Sequence, residues 1–157
     1  MSTHRATVEW KKEGDFARKK YLRTHRWKFD GGIELKAAAS PLVVPKPWTV
    51  DDAVDPEEAF IASVSSCHML TFLFLAANDG FVAESYVDEA EGLLANEGGG
   101  QWITEIVLRP RIEFSGEKRP SEQEIEQLHH RAHEECFISR SVKTNIRVES
   151  ALPSGEG

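Results

Sequence analysis

Residues 55–80 read DPEEAFIASVSSCHMLTFLFLAANDG, and this stretch decides the fold. Asp55 can cap a helix, Pro56 suits its first position, and Glu58 stands where a capping box needs it. Gly80 supplies the stop. The spacing therefore predicts a helix from residue 55 to about residue 78. Its apolar residues, among them Phe60, Val64, Leu70, Phe72 and Phe74, occupy every face, so no polar stripe is left for water. The run 59–77 has the length of a membrane span, but Ser63, Ser65, Ser66, His68 and Thr71 interrupt it. It reads better as a helix buried inside protein. A chain of 157 residues covers such a helix poorly alone, so an intimate homodimer is expected.

The flanking segments alternate or break in recognisable ways. Residues 7–11, 20–29 and 33–38 have strand character, the last two joined by the turn Asp30-Gly31-Gly32. Pro41, Pro45 and Pro47 make 40–54 an extended loop. Strands are expected at 84–94 and 102–114 around a Gly98-Gly99-Gly100 turn. Ser121 and Glu124 form a second capping box, opening a helix that carries Ile125, Leu128 and Ala132 toward Cys136. Residues 142–149 alternate again as a last strand. The expected order is β-β-β-α-β-β-α-β, an α+β fold in a single domain over 1–157, with the tail from 152 frayed.

Composition narrows the function classes. The net charge of −7 gives no electrostatic drive toward nucleic acid or an anionic membrane, and neither partner is expected. No apolar leader is visible at the N-terminus, so a cytoplasmic protein is expected. Two cysteines outside a CxxC spacing are too few for a disulfide scaffold.

Cys67, inside the first helix, and Cys136, at the end of the second, could form a redox pair if packing brings them together. The attacking thiol would need a cationic neighbour, for which His68, Arg23, Arg26 and Arg140 are available. Metal binding is the rival reading. His129, His133 and Cys136 are spaced by four and three residues on one helical face, and Cys67 could complete a zinc site. On that reading fails the support of any CxxC or HExxH, and His129 and His130 are expected to be exposed. Two buried thiols acting only as small hydrophobes are the plainest alternative.

Residues 55–67 resemble the N-P-E-E/Q-x6-7-S/A-C segment of the OsmC/Ohr family, and Ala132-His133-Glu134-Glu135-Cys136-Phe137-Ile138-Ser139 resembles its A-H-x-x-C-P-x-S segment. The resemblance implies an OsmC-like fold, an intertwined dimer, and cysteine-based reduction of hydroperoxides without a cofactor. Cys67 matches the attacking cysteine, Cys136 the resolving one, and Glu57 the glutamate that holds an active-site arginine. Arg23 is the expected arginine, with Arg26 as the alternative. An external dithiol or a lipoylated protein is the implied reductant. Ten residues of helix rise about 15 Å, so Glu57 serves Cys67 only if the helix breaks or the two come from different subunits. Phe60, Phe72 and Trp48 are possible walls of an apolar pocket, though each also suits a core. Two departures stand out: Phe137 replaces the proline after the resolving cysteine, and His68 replaces an apolar residue after the first.

Overall fold

The computed structural model describes residues 1–150, and they form two compact units divided between Ala59 and Phe60. In the N-terminal unit, β1 (Ala6–Glu9), β4 (His25–Phe29) and β5 (Glu34–Ala37) form an antiparallel sheet in the order β1-β4-β5. β2 (Gly14–Asp15) and β3 (Lys20–Tyr21) pair as a separate short hairpin. The strand expected over 20–29 is thus two strands. Between them Leu22 N–H donates to Glu13 O and Arg23 N–H to Trp48 O, which takes the backbone off the ladder.

Helix α1 spans Pro56–Asn78. Both halves of its capping box form: Glu58 N–H donates to Asp55 Oδ1 at 2.8 Å, and Asp55 N–H to Glu58 Oε2 at 3.2 Å. Its end is a Schellman turn, in which Gly80 at φ +83° lets Phe81 N–H reach Ala76 O and Gly80 N–H reach Ala77 O.

In the second unit the two strands expected between the helices are four. β6 (Val82–Asp88) pairs antiparallel with β9 (Pro110–Ser115). β7 (Glu91–Glu97) pairs antiparallel with β8 (Gly100–Leu108), and β10 (Asn145–Val148) lies parallel to β8 on its other edge. Asp88 explains the division. Its carboxylate accepts the Arg109 N–H at 2.6 Å, which removes that donor from any ladder, and Pro110 follows with none to give. Helix α2 (Glu122–Glu135) begins at Ser121 with the expected capping box. Along residues 142–149 the alternation holds: Ile146 is buried and the odd-numbered neighbours are exposed.

Two apolar clusters hold this unit, and α1 contributes to both. Val64 packs with Ile106, Leu108 and Ile146 from β8 and β10. Phe72, Leu75 and Ala76 pack with Phe81, Leu128 and Ala132. Phe72 is fully buried and touches Tyr86 and His129, so it is a core residue and no pocket wall. On the opposite side of α1, Leu70 and Phe74 are 61% and 62% exposed.

Candidate active site: a cysteine pair

Packing in the second unit decides where each sulfur stands. Val64 and His68, four residues apart on α1, both face the core with no exposed surface, which leaves Cys67 at the margin and half-buried. On α2 the apolar positions Ile125, Leu128 and Ala132 set one face against the core, and Cys136 closes the helix at the end of that stripe. Cys136 N–H still donates to Ala132 O at 2.9 Å, but its φ of −67° and ψ of 118° turn the chain out of the helix. Arg140 N–H then returns to Cys136 O, opening the short 3-10 turn Ser139–Ser141.

This turn wraps main-chain donors around sulfur. Ser139 N–H lies 3.4 Å from Cys136 Sγ. The two thiols are close enough for each to shift the other's ionisation, and neither forms a disulfide. Their burial differs: Cys136 is fully buried and Cys67 is the partly accessible sulfur.

The electrostatics are asymmetric too. Burial pushes the Cys67 thiol up, as does its hydrogen bond to Cys136, while the N–H groups of Ile138 and Phe137 act the other way. Burial also opposes the Cys136 anion, but the hydrogen bond from Cys67 and the donors of Ser139 and Ile138 outweigh it, so this thiol falls below its ordinary value. The two environments thus push the thiols apart, with Cys136 the more readily ionised member of the pair.

His68 supplies no positive charge. Its Nε2 meets His129 Nδ1 at 3.0 Å, with the rings within 11° of parallel. Burial, the first cause for each, lowers His68 to about 4 and His129 to about 3, so both are neutral at pH 7. His129 is thus buried, contrary to expectation. It sits on the α2 stripe four residues after Ile125, with a hydrogen-bonding partner on α1, while His130 is exposed and His133 half-buried. The zinc arrangement does not assemble among the described residues. Among the described residues no three His, Cys, Asp or Glu side chains are grouped to hold a metal ion.

Arg23 and Glu57 belong to the N-terminal unit. The Arg23 guanidinium lies 3.7 Å from the Tyr21 ring centre and donates to the Lys19 and Tyr21 carbonyls. Arg26 is paired with Glu34 at 3.5 Å on an exposed surface. Glu57 holds a buried carboxylate oxygen, Oε2, with no hydrogen-bond partner. Since α1 runs without a break, the ten residues from Glu57 to Cys67 take up about 15 Å of helix.

Sequence reasoning missed the imidazole pair and the main-chain donors of 137–139. The first had a readable signal, a histidine at an apolar-stripe position of α2. The second had none, since every residue but proline carries an N–H.

The family model described as OsmC-like protein matches residues 49–151, and the chain belongs to that family. An OsmC-like protein of unknown function from Vibrio cholerae is 49% identical, with a TM-score of 0.93 over 96% of this chain and 100% of that one. An organic hydroperoxide resistance protein from Elizabethkingia anophelis shares the fold at 21% identity and a TM-score of 0.69, covering 96% of this chain and 94% of that one. Another from Legionella pneumophila does so at 17% identity and 0.66, covering 97% and 100%. No curated protein matches the sequence.

Proposed function

We propose that this chain is a thiol-dependent peroxidase that reduces organic hydroperoxides, with Cys67 as the attacking sulfur and Cys136 as the resolving one. The observation that carries this reading is the neighbouring pair of free thiols with one partly accessible and one buried member. The names of the Elizabethkingia and Legionella structures favour an organic peroxide.

The chemistry follows from the asymmetry of the pair. Cys136, the more readily ionised thiol, takes the proton of Cys67 when in its thiolate form, making the accessible sulfur the nucleophile. Cys67 thiolate attacks the distal peroxide oxygen, the O–O bond breaks, and Cys67 becomes a sulfenic acid. The departing alkoxide takes the proton now on Cys136 and leaves as the alcohol. Cys136 thiolate then attacks the sulfenic sulfur, the disulfide forms, and hydroxide departs to be protonated by solvent. An external dithiol or a lipoylated protein restores both thiols by exchange.

Arg23, fixed by Glu57, completes the site in this proposal by donating to the peroxide and stabilising the Cys67 anion. The partnerless Glu57 oxygen suits such a guanidinium, and the helix rise between Glu57 and Cys67 favours contributions from two subunits. The exposed Leu70 and Phe74 give α1 the apolar face a second copy would cover. Light scattering is expected to return about twice the 17.6 kDa chain mass; a monomer at micromolar concentration would remove the shared-site arrangement. The cytoplasm fits the acidic, dithiol-bearing chain.

The direct test mixes reduced protein, excess dithiothreitol and either cumene hydroperoxide or hydrogen peroxide. Continuous consumption is expected, faster with the organic peroxide. A single stoichiometric oxidation with no turnover would make the pair a redox sensor instead, and no oxidation of either thiol would end the proposal.

A further inference from the structure

We propose that His25 is a positioning residue for Arg23: its imidazole donates from Nδ1 to the Arg23 carbonyl, with Trp27 holding the ring, and so fixes the main chain from which the guanidinium projects. The inference rests on the peroxidase reading, in which Arg23 serves the peroxide.

Arg23 stands where the chain has left the ladder between β3 and β4. Its N–H donates to Trp48 O at 3.0 Å, but no main-chain N–H reaches its carbonyl among the described residues. The second anchor comes from a side chain, with His25 Nδ1 lying 2.7 Å from Arg23 O. His25 and Trp27 alternate onto one face of β4. There Trp27 Nε1 donates to His25 Nε2 at 3.0 Å.

These partners decide where the ring proton sits. A carbonyl only accepts and an indole N–H only donates, so Nδ1 carries the hydrogen and Nε2 offers its lone pair. Both nitrogens of a half-buried ring are thereby used, and neither a ring flip nor the other tautomer keeps both bonds. The guanidinium itself lies over the Tyr21 ring and on the Lys19 and Tyr21 carbonyls, all from residues before Arg23. His25 supplies the hold from the residues after it. Because the arginine side chain is long, a rotation of the peptide at its root is magnified at its tip. For a group that touches reacting atoms, a misplacement of about 1 Å can cost about a hundredfold in rate.

Two amides separate the two bonds of the imidazole. Asparagine brings an N–H to the place of Nδ1 and keeps the Arg23 carbonyl, whereas glutamine reaches the place of Nε2 and keeps only Trp27. The readout is the second-order rate of Cys67 oxidation by cumene hydroperoxide. His25→Gln is expected to slow it about tenfold, and His25→Asn to recover it to within about threefold of the wild type. Once Arg23→Ala is in place, His25→Gln is expected to cause no further loss. Equal rates for the Asn and Gln variants, or a loss that persists with Arg23→Ala, would overturn the inference. Nitrogen-15 NMR of the wild-type imidazole needs no variant to fold. It is expected to show Nδ1 protonated and Nε2 bare, and the opposite tautomer would also overturn the inference. A wild type that consumes no peroxide while carrying the Nδ1 proton would end the peroxidase reading and leave the hold on the Arg23 carbonyl in place.

Discussion

Serine at Cys67 is expected to lower peroxide turnover by about a thousandfold or more, to the level set by the uncatalysed reaction with dithiothreitol. Serine at Cys136 is expected to act differently. A hydroxyl is a far weaker acid than a thiol, so Cys136→Ser keeps the shape of the site and loses two roles, acceptance of the Cys67 proton and attack on the sulfenic acid. Its first oxidation is expected to survive at a reduced rate, leaving Cys67 as a sulfenic acid that dimedone traps and that excess peroxide carries on to sulfinic acid. Mass spectrometry after one equivalent of peroxide separates the outcomes: a mass loss of two hydrogens in the wild type, one added oxygen in Cys136→Ser, and no change in Cys67→Ser. The burial pattern makes this assignment directional. Cys136 has no exposed surface and Cys67 is partly open, so a peroxide meets Cys67 first even though Cys136 is the more readily ionised thiol. If Cys67→Ser and Cys136→Ser exchange these behaviours, the accessible sulfur is the resolving one and the proposed sequence of steps runs backwards.

Local signals in the sequence were strong where one segment decides its own conformation. Asp55 and Glu58, Gly80, and Ser121 with Glu124 set both helices, because capping groups sit within four residues of what they satisfy. The exact strands were less legible. What divides 82–97 and 100–115 into four strands is a bond from Arg109 N–H to Asp88, 21 residues away, and no window of sequence displays such a partner. Cys67 and Cys136 were legible as residues, and their order of burial was not, since that depends on which face α1 turns toward β8 and β10. His129 carried a signal that was outweighed by the ordinary exposure of histidine on helices.

Acid is expected to unfold this protein earlier than its carboxylates alone would require, and the buried imidazole pair is the cause. In the folded chain His68 is lowered to about 4 and His129 to about 3, against 6.5 for the free side chain. The unfolded chain therefore binds protons first, and stability rises with pH wherever it does so. The contribution is complete above about pH 6.5, falls as pH drops below it, and is gone once the folded imidazoles themselves protonate. For His68 alone the displacement corresponds to about 3 kcal/mol. Asp88 acts in the opposite sense on His68, and His133 in the same sense, so the burial effect that dominates is partly offset by the carboxylate. Between pH 6.5 and 5 ordinary carboxylates stay ionised in both states, which isolates the histidines. Unfolding free energies from urea titrations across that interval are expected to fall with a slope approaching two protons, about 2.7 kcal/mol per pH unit. His129→Leu leaves His68 Nε2 buried without its partner and is expected to cost about 1–3 kcal/mol at pH 7. The double variant His68→Phe with His129→Leu removes the polar pair altogether and is expected to regain much of that loss while flattening the profile. A double variant as acid-sensitive as the wild type would place the effect elsewhere. Because His68 adjoins Cys67 on α1 and His129 stands two turns before Cys136 on α2, their one hydrogen bond ties together the two helices that carry the sulfurs. Protonation that parts the imidazoles would therefore part the thiols as well, so disulfide formation on peroxide addition is expected to fail over the same acid range in which stability is lost.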